Sequence, residues 1–338
     1  MPEPISLRTR PYAGDDPYRT YAEAQVALRP RRGPGLHVAL FAATFLTTAM
    51  ASALHQGLDV FSAPTAVVNG FPYAIAIMSI LLLHECGHYL FARIHRVDAT
   101  LPFFIPAPPV IFFIGTLGAF IRMRTMPRNR RALFDIGAAG PWAGMLVAVP
   151  VLMLGLHLSE VRPAGASDEA GLFLGDSLLF KALAWLVLGT MGDDVTIVLH
   201  PVALAGWVGL LVTALNLLPV GQLDGGHVVY AAFGERWHRW ISRGTLTALI
   251  VLGVGGAATW LVWAVLLSFL GVRHPRLADA ETPLDRGRKW AAIATLAMFL
   301  VTFMPEPLHF FEPAPRIPPD EHAIPVVAPA PTPEVIPL

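Results

Sequence analysis

Three residues within five positions, His84, Glu85 and His88, carry side chains from which a hydrolytic metal centre can be built. On a helix, His84 and His88 stand one turn apart on one face, about 6 Å along the axis, so both imidazoles reach a single ion. Glu85 directly follows the first histidine, where its carboxylate can take a proton from an attacking water. The pattern His-Glu-x-x-His is that of a zinc-metalloprotease helix. Its setting is unusual, because from Phe71 to Ala92 Glu85 is the only Asp, Glu, Lys or Arg and the stretch is mostly apolar. The chemistry of a hydrolase is written into a membrane-like segment.

A zinc hydrolase keeps three protein ligands and one open position. Asp224, in Leu223-Asp224-Gly225-Gly226-His227, is the candidate third ligand. An aspartate in a membrane segment costs roughly 2.5–3.5 kcal/mol on insertion scales, and a divalent cation is the partner that would offset this. Asn216 is a candidate donor to the substrate backbone or a developing oxyanion, with a polar contact inside a helix as the alternative. Cys86 sits about 200° around the helix from His84 and is expected to pack. Gly137, Gly140 and Gly144 read as small-xxx-small packing positions. His227 is equally compatible with a place beside the site and with a surface or capping role. His37, His55, His95, His157, His200, His238 and His274 show no spacing that suggests a site.

The elements that must position these residues follow from composition. Of 338 residues, 54% are hydrophobic and 14% charged, and the mean hydropathy is +0.56, which excludes an ordinary soluble protein. A net charge of zero gives no reason to expect a nucleic-acid partner, which usually requires a clustered basic face. The single cysteine excludes an intrachain disulfide. The sequence therefore predicts an all-α polytopic membrane protein with a short β-hairpin. Residues 1–35 read as a cytoplasmic tail, 36–304 as the membrane domain, and the proline-dense residues 305–338 as a disordered tail.

Spans are expected at about Leu36–Leu54, Phe71–Ala92, Ala132–Leu156 and Val202–Leu218, with a marginal one at Trp290–Phe303. Thr245–Leu270, interrupted by Gly253, Gly255 and Gly256, reads either as one long span or as a folded-back pair, and the basic Arg273–Lys289 favours the pair. Between Val97 and Arg131 the prolines forbid a regular helix, and Phe103–Ile105 and Val110–Ile121 are expected to form two strands. Seven arginines flank them (Arg93, Arg96, Arg122, Arg124, Arg128, Arg130, Arg131) against Asp98, which puts this loop in the cytoplasm. Ser159–His200 is acidic on balance and fits the opposite side, with Leu178–Leu188 as a packed half-helix. On this topology His84, His88 and Asp224 meet at similar depth, near the cytoplasmic face.

His84-Glu85-Cys86-Gly87-His88 in one span, with Asn216-Leu-Leu-Pro219 and Leu223-Asp224-Gly225 after another, resembles the site-2 protease family of intramembrane zinc metalloproteases. Ala139-Gly140-Pro141 is similar to the motif of that family's middle core helix. The resemblance covers roughly 71–232 and implies a three-helix catalytic core holding one zinc ion per chain. It also implies hydrolysis of single-pass transmembrane protein substrates in the lipid bilayer, releasing regulatory fragments, often after a first cut by another protease. The hairpin would be membrane-associated and would align an unwound substrate as an added strand. Neither Ser159–His200 nor the tail has the length or pattern of a PDZ or CBS domain. A bacterial cytoplasmic membrane, with the active site toward the cytoplasm, is the expected location. A metal transporter using the same three ligands is the alternative, although transport gives Glu85 no task. Substrate identity and oligomeric state are not encoded in these patterns.

Overall fold

The computed structural model describes residues 33–163, 171–189 and 195–311. The expected N-terminal tail, apart from its last few residues, and the tail beyond residue 311 lie outside the described residues. Helix α1 (Gly35–His55) leads through a 3-10 turn (Pro64–Gly70) into α2 (Phe71–Ile94), and α3 spans Arg130–His157. These three helices, with the 3-10 turn counted as part of the second, are long and apolar enough to cross a membrane. Asn129 starts α3 by accepting a hydrogen bond from the Ala132 amide at 2.9 Å, and α3 continues through Pro141 and Pro150.

Helix α4 (Leu178–Leu188) is the expected short helix, capped by Ser177. Helix α5 (Pro201–Asn216), expected as a span, is a 16-residue helix packed inside the bundle, with Ala203, Ala205, Trp207, Val208 and Leu210 fully buried. That accounts for its being apolar all round, the signature of a central helix. Trp207 satisfies its indole N–H on the Gly175 carbonyl at 2.8 Å. A Cβ on Gly155 of α3 would lie 2.1 Å from the Ala203 nitrogen, and one on Gly206 would lie 2.7 Å from Leu152 Cα. Backbone-to-backbone approach of this kind is what small residues provide where lipid gives no hydrophobic drive.

Helix α6 (Asp224–Phe233) follows, and α7 (Glu235–Val254) and α8 (Thr259–Leu270) form the folded-back pair. Gly256, at φ +126°, supports the reversal, and Gly253 packs its bare face on Leu261. The pair returns to its start: His238 of α7 donates to the Gly221 carbonyl at 2.9 Å, and the Gly271 carbonyl rests on Gly221. Helix α9 (Arg286–Thr302) begins four residues before the expected span. Its Arg288 grips Asp135 of α3 with two hydrogen bonds, at 2.8 and 2.6 Å, and His95 reaches the same carboxylate at 2.8 Å.

The hairpin is present. Strand β1 (Phe103–Pro106) pairs antiparallel with β2 (Thr116–Phe120), with Phe103 opposite Phe120. The second strand is shorter than expected, because Pro108, Pro109 and the positive-φ Gly115 keep residues 107–115 in turns. Two further antiparallel pairs were not anticipated: β3 (Glu160–Pro163) with β5 (Val195–Val198), and β4 (Gly171–Leu174) with β6 (Leu308–Phe311). The expectation of disorder from residue 305 is thus corrected for Leu308–Phe311, which pairs with Gly171–Leu174, a four-residue segment too short to be read as a strand.

The α3–α5 contact gives a test of this packing. Gly155→Ala should lower stability by about 1–3 kcal/mol, seen as earlier thermal unfolding in detergent, since the new methyl would press on backbone that has no rotamer to change.

Candidate active site

Helix α2 presents His84 and His88 inward, and their Nε2 atoms lie 3.1 Å apart. Asp224, at the first turn of α6, brings Oδ2 to 3.3 Å from His84 Nε2 and 3.2 Å from His88 Nε2. Both imidazoles are buried. His88 Nδ1 donates to the Ile136 carbonyl at 2.7 Å. Its Nε2 is thereby left as a lone pair, the arrangement of a metal-ligating histidine. Around a tetrahedral zinc with bonds of 2.0–2.1 Å, ligand atoms stand about 3.3 Å apart. The observed triangle, 3.1 to 3.3 Å on its sides, fits that requirement.

The glycines around Asp224 have a local cause. A Cβ on Gly225 would fall 1.9 Å from the Leu217 carbonyl oxygen, and one on Gly226 would fall 2.5 Å from that of Gly221. Only a bare backbone lets α6 start this close to the end of α5. Glu85, 5% exposed, lines the same cleft, with the Ile121 amide beside its carboxylate. Asn216 Nδ2 lies 3.3 Å from His84 Nε2, so this residue is also at the centre. The cleft measures about 370 Å³ and is walled by Ala119–Met123 on one part and by Asn216, Leu223, Asp224 and His227 on another.

Cys86 corrects one expectation, for it is exposed on the outer face of α2 and does not pack. The glycines of α3 hold the largest surprise. A Cβ on Gly140 would come 2.0 Å from His88 Nε2, one on Gly144 would come 3.2 Å from His84 Nδ1, and one on Gly137 would come 2.7 Å from His227 Cβ. The stripe expected to pack helices makes room for imidazoles. Its spacing of three and four residues, facing a helix with histidines at a spacing of four, was the signal available in the sequence.

The model of peptidase family M50 matches residues 72–262, more than half of the chain and all of the site just described. This chain belongs to that family. It is 36% identical over 247 residues to the rice (Oryza sativa subsp. japonica) protein named probable zinc metalloprotease EGY1, chloroplastic, covering 71% of this chain and 41% of the relative. The Arabidopsis thaliana proteins of the same description are similar, EGY1 at 34% identity (69% of this chain, 42% of the relative) and EGY2 at 29% (75% and 45%). The chain spans less than half the length of these relatives. Their names place them in chloroplasts, which lends nothing to the expectation of a bacterial cytoplasmic membrane. No solved structure matches. Within the M50 family the name metalloprotease accords with the three ligand atoms here, and with a glutamate beside the first histidine.

Gly140→Ala tests the imidazole space. The variant should bind zinc at least about tenfold more weakly, measured by metal analysis after dialysis, whereas Gly144→Ala, with a Cβ contact at 3.2 Å in place of 2.0 Å, should keep most of its metal.

Proposed function

We propose that this chain is an intramembrane zinc metalloprotease that hydrolyses peptide bonds within or near the transmembrane segment of single-pass membrane proteins and releases regulatory fragments. The observation that carries the reading is the convergence of His84 Nε2, His88 Nε2 and Asp224 Oδ2 beside Glu85 in one buried cleft between apolar helices. In this reading His84, His88 and Asp224 hold one zinc ion per chain. Bound zinc would acidify a water molecule and polarise the scissile carbonyl.

The remaining work falls to the protein. Glu85 takes the proton of the attacking water and delivers it to the leaving amine, a role its place directly after His84 supports. Asn216, whose amide nitrogen is 3.3 Å from His84 Nε2, donates to the substrate carbonyl as negative charge develops there. Apolar walls around the cleft keep the dielectric low and strengthen both interactions. Among the described residues strand β2 pairs on one side only, with β1, and residues just past it line the cleft. An unwound substrate segment added to the free edge would satisfy backbone groups that have left their helix, which in hydrocarbon would otherwise cost several kcal/mol each. A three-helix catalytic core of α2, α3 and the α5–α6 unit, open toward the arginine-flanked face and hence the cytoplasm, is the architecture that goes with this chemistry.

The relatives are named as metalloproteases, and the transport alternative has no comparable support. Glu85→Gln should lower cleavage of a reconstituted transmembrane substrate by about 100-fold or more while retaining stoichiometric zinc; undiminished cleavage would sink the mechanism. In the same assay Asp224→Ala should lose the metal itself, and unchanged zinc content would remove Asp224 from the ligand set.

A further inference from the structure

His227 stands three residues beyond Asp224 on α6 and lines the cleft. It is not among the grouped ligand atoms of His84, His88 and Asp224, and the mechanism above leaves it without a task. Its Nδ1 is 2.9 Å from Nε2 of His274, and Nδ1 of His274 is 2.6 Å from the Pro275 carbonyl oxygen. These two contacts, together with the burial of His274, order the protons along the chain. A carbonyl oxygen only accepts, so His274 Nδ1 carries a hydrogen. Burial holds the His274 imidazole down to about 4, so at neutral pH it has no second hydrogen and its Nε2 is a lone pair. His227 Nδ1 must then donate to it. By the same rule a neutral His227 is left with a lone pair at Nε2, which makes no hydrogen bond with any described residue.

Packing holds the pair in place. The Tyr230 ring stacks on His274 with centroids 4.3 Å apart, and His238 meets it edge-on at 5.8 Å. Gly137 leaves the backbone of α3 against His227 Cβ. The result is an acceptor on the α6 wall of a cleft in which Asn216, at the end of α5, can serve as a donor. An extended peptide paired along one edge turns the N–H and C=O groups of alternate residues the other way. In an apolar cleft those groups need one acceptor and one donor.

We propose that His227 is a substrate-binding residue whose Nε2 accepts a hydrogen bond from a backbone N–H of the cleaved segment, and that His274, anchored on the Pro275 carbonyl, is the positioning residue that keeps this atom free of a proton. The inference rests on the proteolytic reading for its substrate. Its tautomer can be measured without activity. In histidine-labelled protein in nanodiscs, 15N spectra should show His227, identified by the loss of its signals in His227→Gln, protonated at Nδ1 and bare at Nε2; a proton on Nε2 overturns the proposal. Cleavage of a single-pass transmembrane peptide supplies the second reading. His274→Leu and His227→Leu should each lose roughly 10- to 100-fold in rate, the equivalent of one hydrogen bond left unmade, with zinc content unchanged. His274→Gln and His227→Gln, whose side-chain oxygens can accept where the imidazole nitrogen did, should stay within a few-fold of wild type. Gln variants as poor as the Leu variants, or Leu variants as active as wild type, would overturn it. A wild type that cuts nothing counts against the proteolytic reading and against a substrate contact for His227, while the spectra still decide the tautomer.

Discussion

Two imidazole nitrogens and a carboxylate oxygen crowd to within 3.3 Å of one another among apolar helices. Such a group is costly unless a cation or proton stands between its members, because each lone pair faces another in a medium that solvates none of them. The rest of the chain arranges itself around this cost. Helix α2 supplies two of the atoms from one face, and the glycine-relieved start of α6 supplies the third. Helix α3, lying against both, keeps bare backbone wherever an imidazole must fit, and the Ile136 carbonyl sets the proton of His88.

The second layer of constraint is electrostatic and lies at one end of the bundle. Asp135 precedes Ile136, and its carboxylate takes Arg288 from α9 and His95 from just beyond α2. Partly buried contacts of this kind contribute little net stability, but breaking one leaves a carboxylate without its partners in a half-buried place. Their effect is to fix the register of three helices at the level where His88 is oriented. A comparable anchor lies at His274, whose Nδ1 donates to the Pro275 carbonyl while His227 Nδ1 lies against its Nε2.

Much of the site was legible in the sequence because its residues are expensive where they stand. Glu85 and Asp224 have no place in apolar stretches without a partner, and the helical period fixed the His84–His88 geometry. Asn216 was marked by position and lies beside His84. What escaped were features that carry no charge and no pattern: the purpose of Gly140, which depends on a neighbour 52 positions away in sequence, and the pairing of β4 with β6, which joins segments more than a hundred residues apart. Helix α5, read as a span, is a central helix of 16 residues, and burial in protein and burial in lipid select the same side chains. Cys86 failed for the complementary reason, since a small apolar thiol is equally at home facing either environment.

Gly221 has a consequence for how the protein is made. Its carbonyl is held by His238 on α7, and the carbonyl of Gly271, where α8 ends, rests against its backbone. Asp224 is three residues away on the segment thus gripped. The contacts that grip this segment can form only once the chain has emerged past Gly271, nearly two hundred residues after both histidines. During that interval the nascent chain holds an incomplete and weakly chelating pair. On the proposed reading of this site, acquisition of the metal would follow late in biogenesis, set by the order in which the chain emerges.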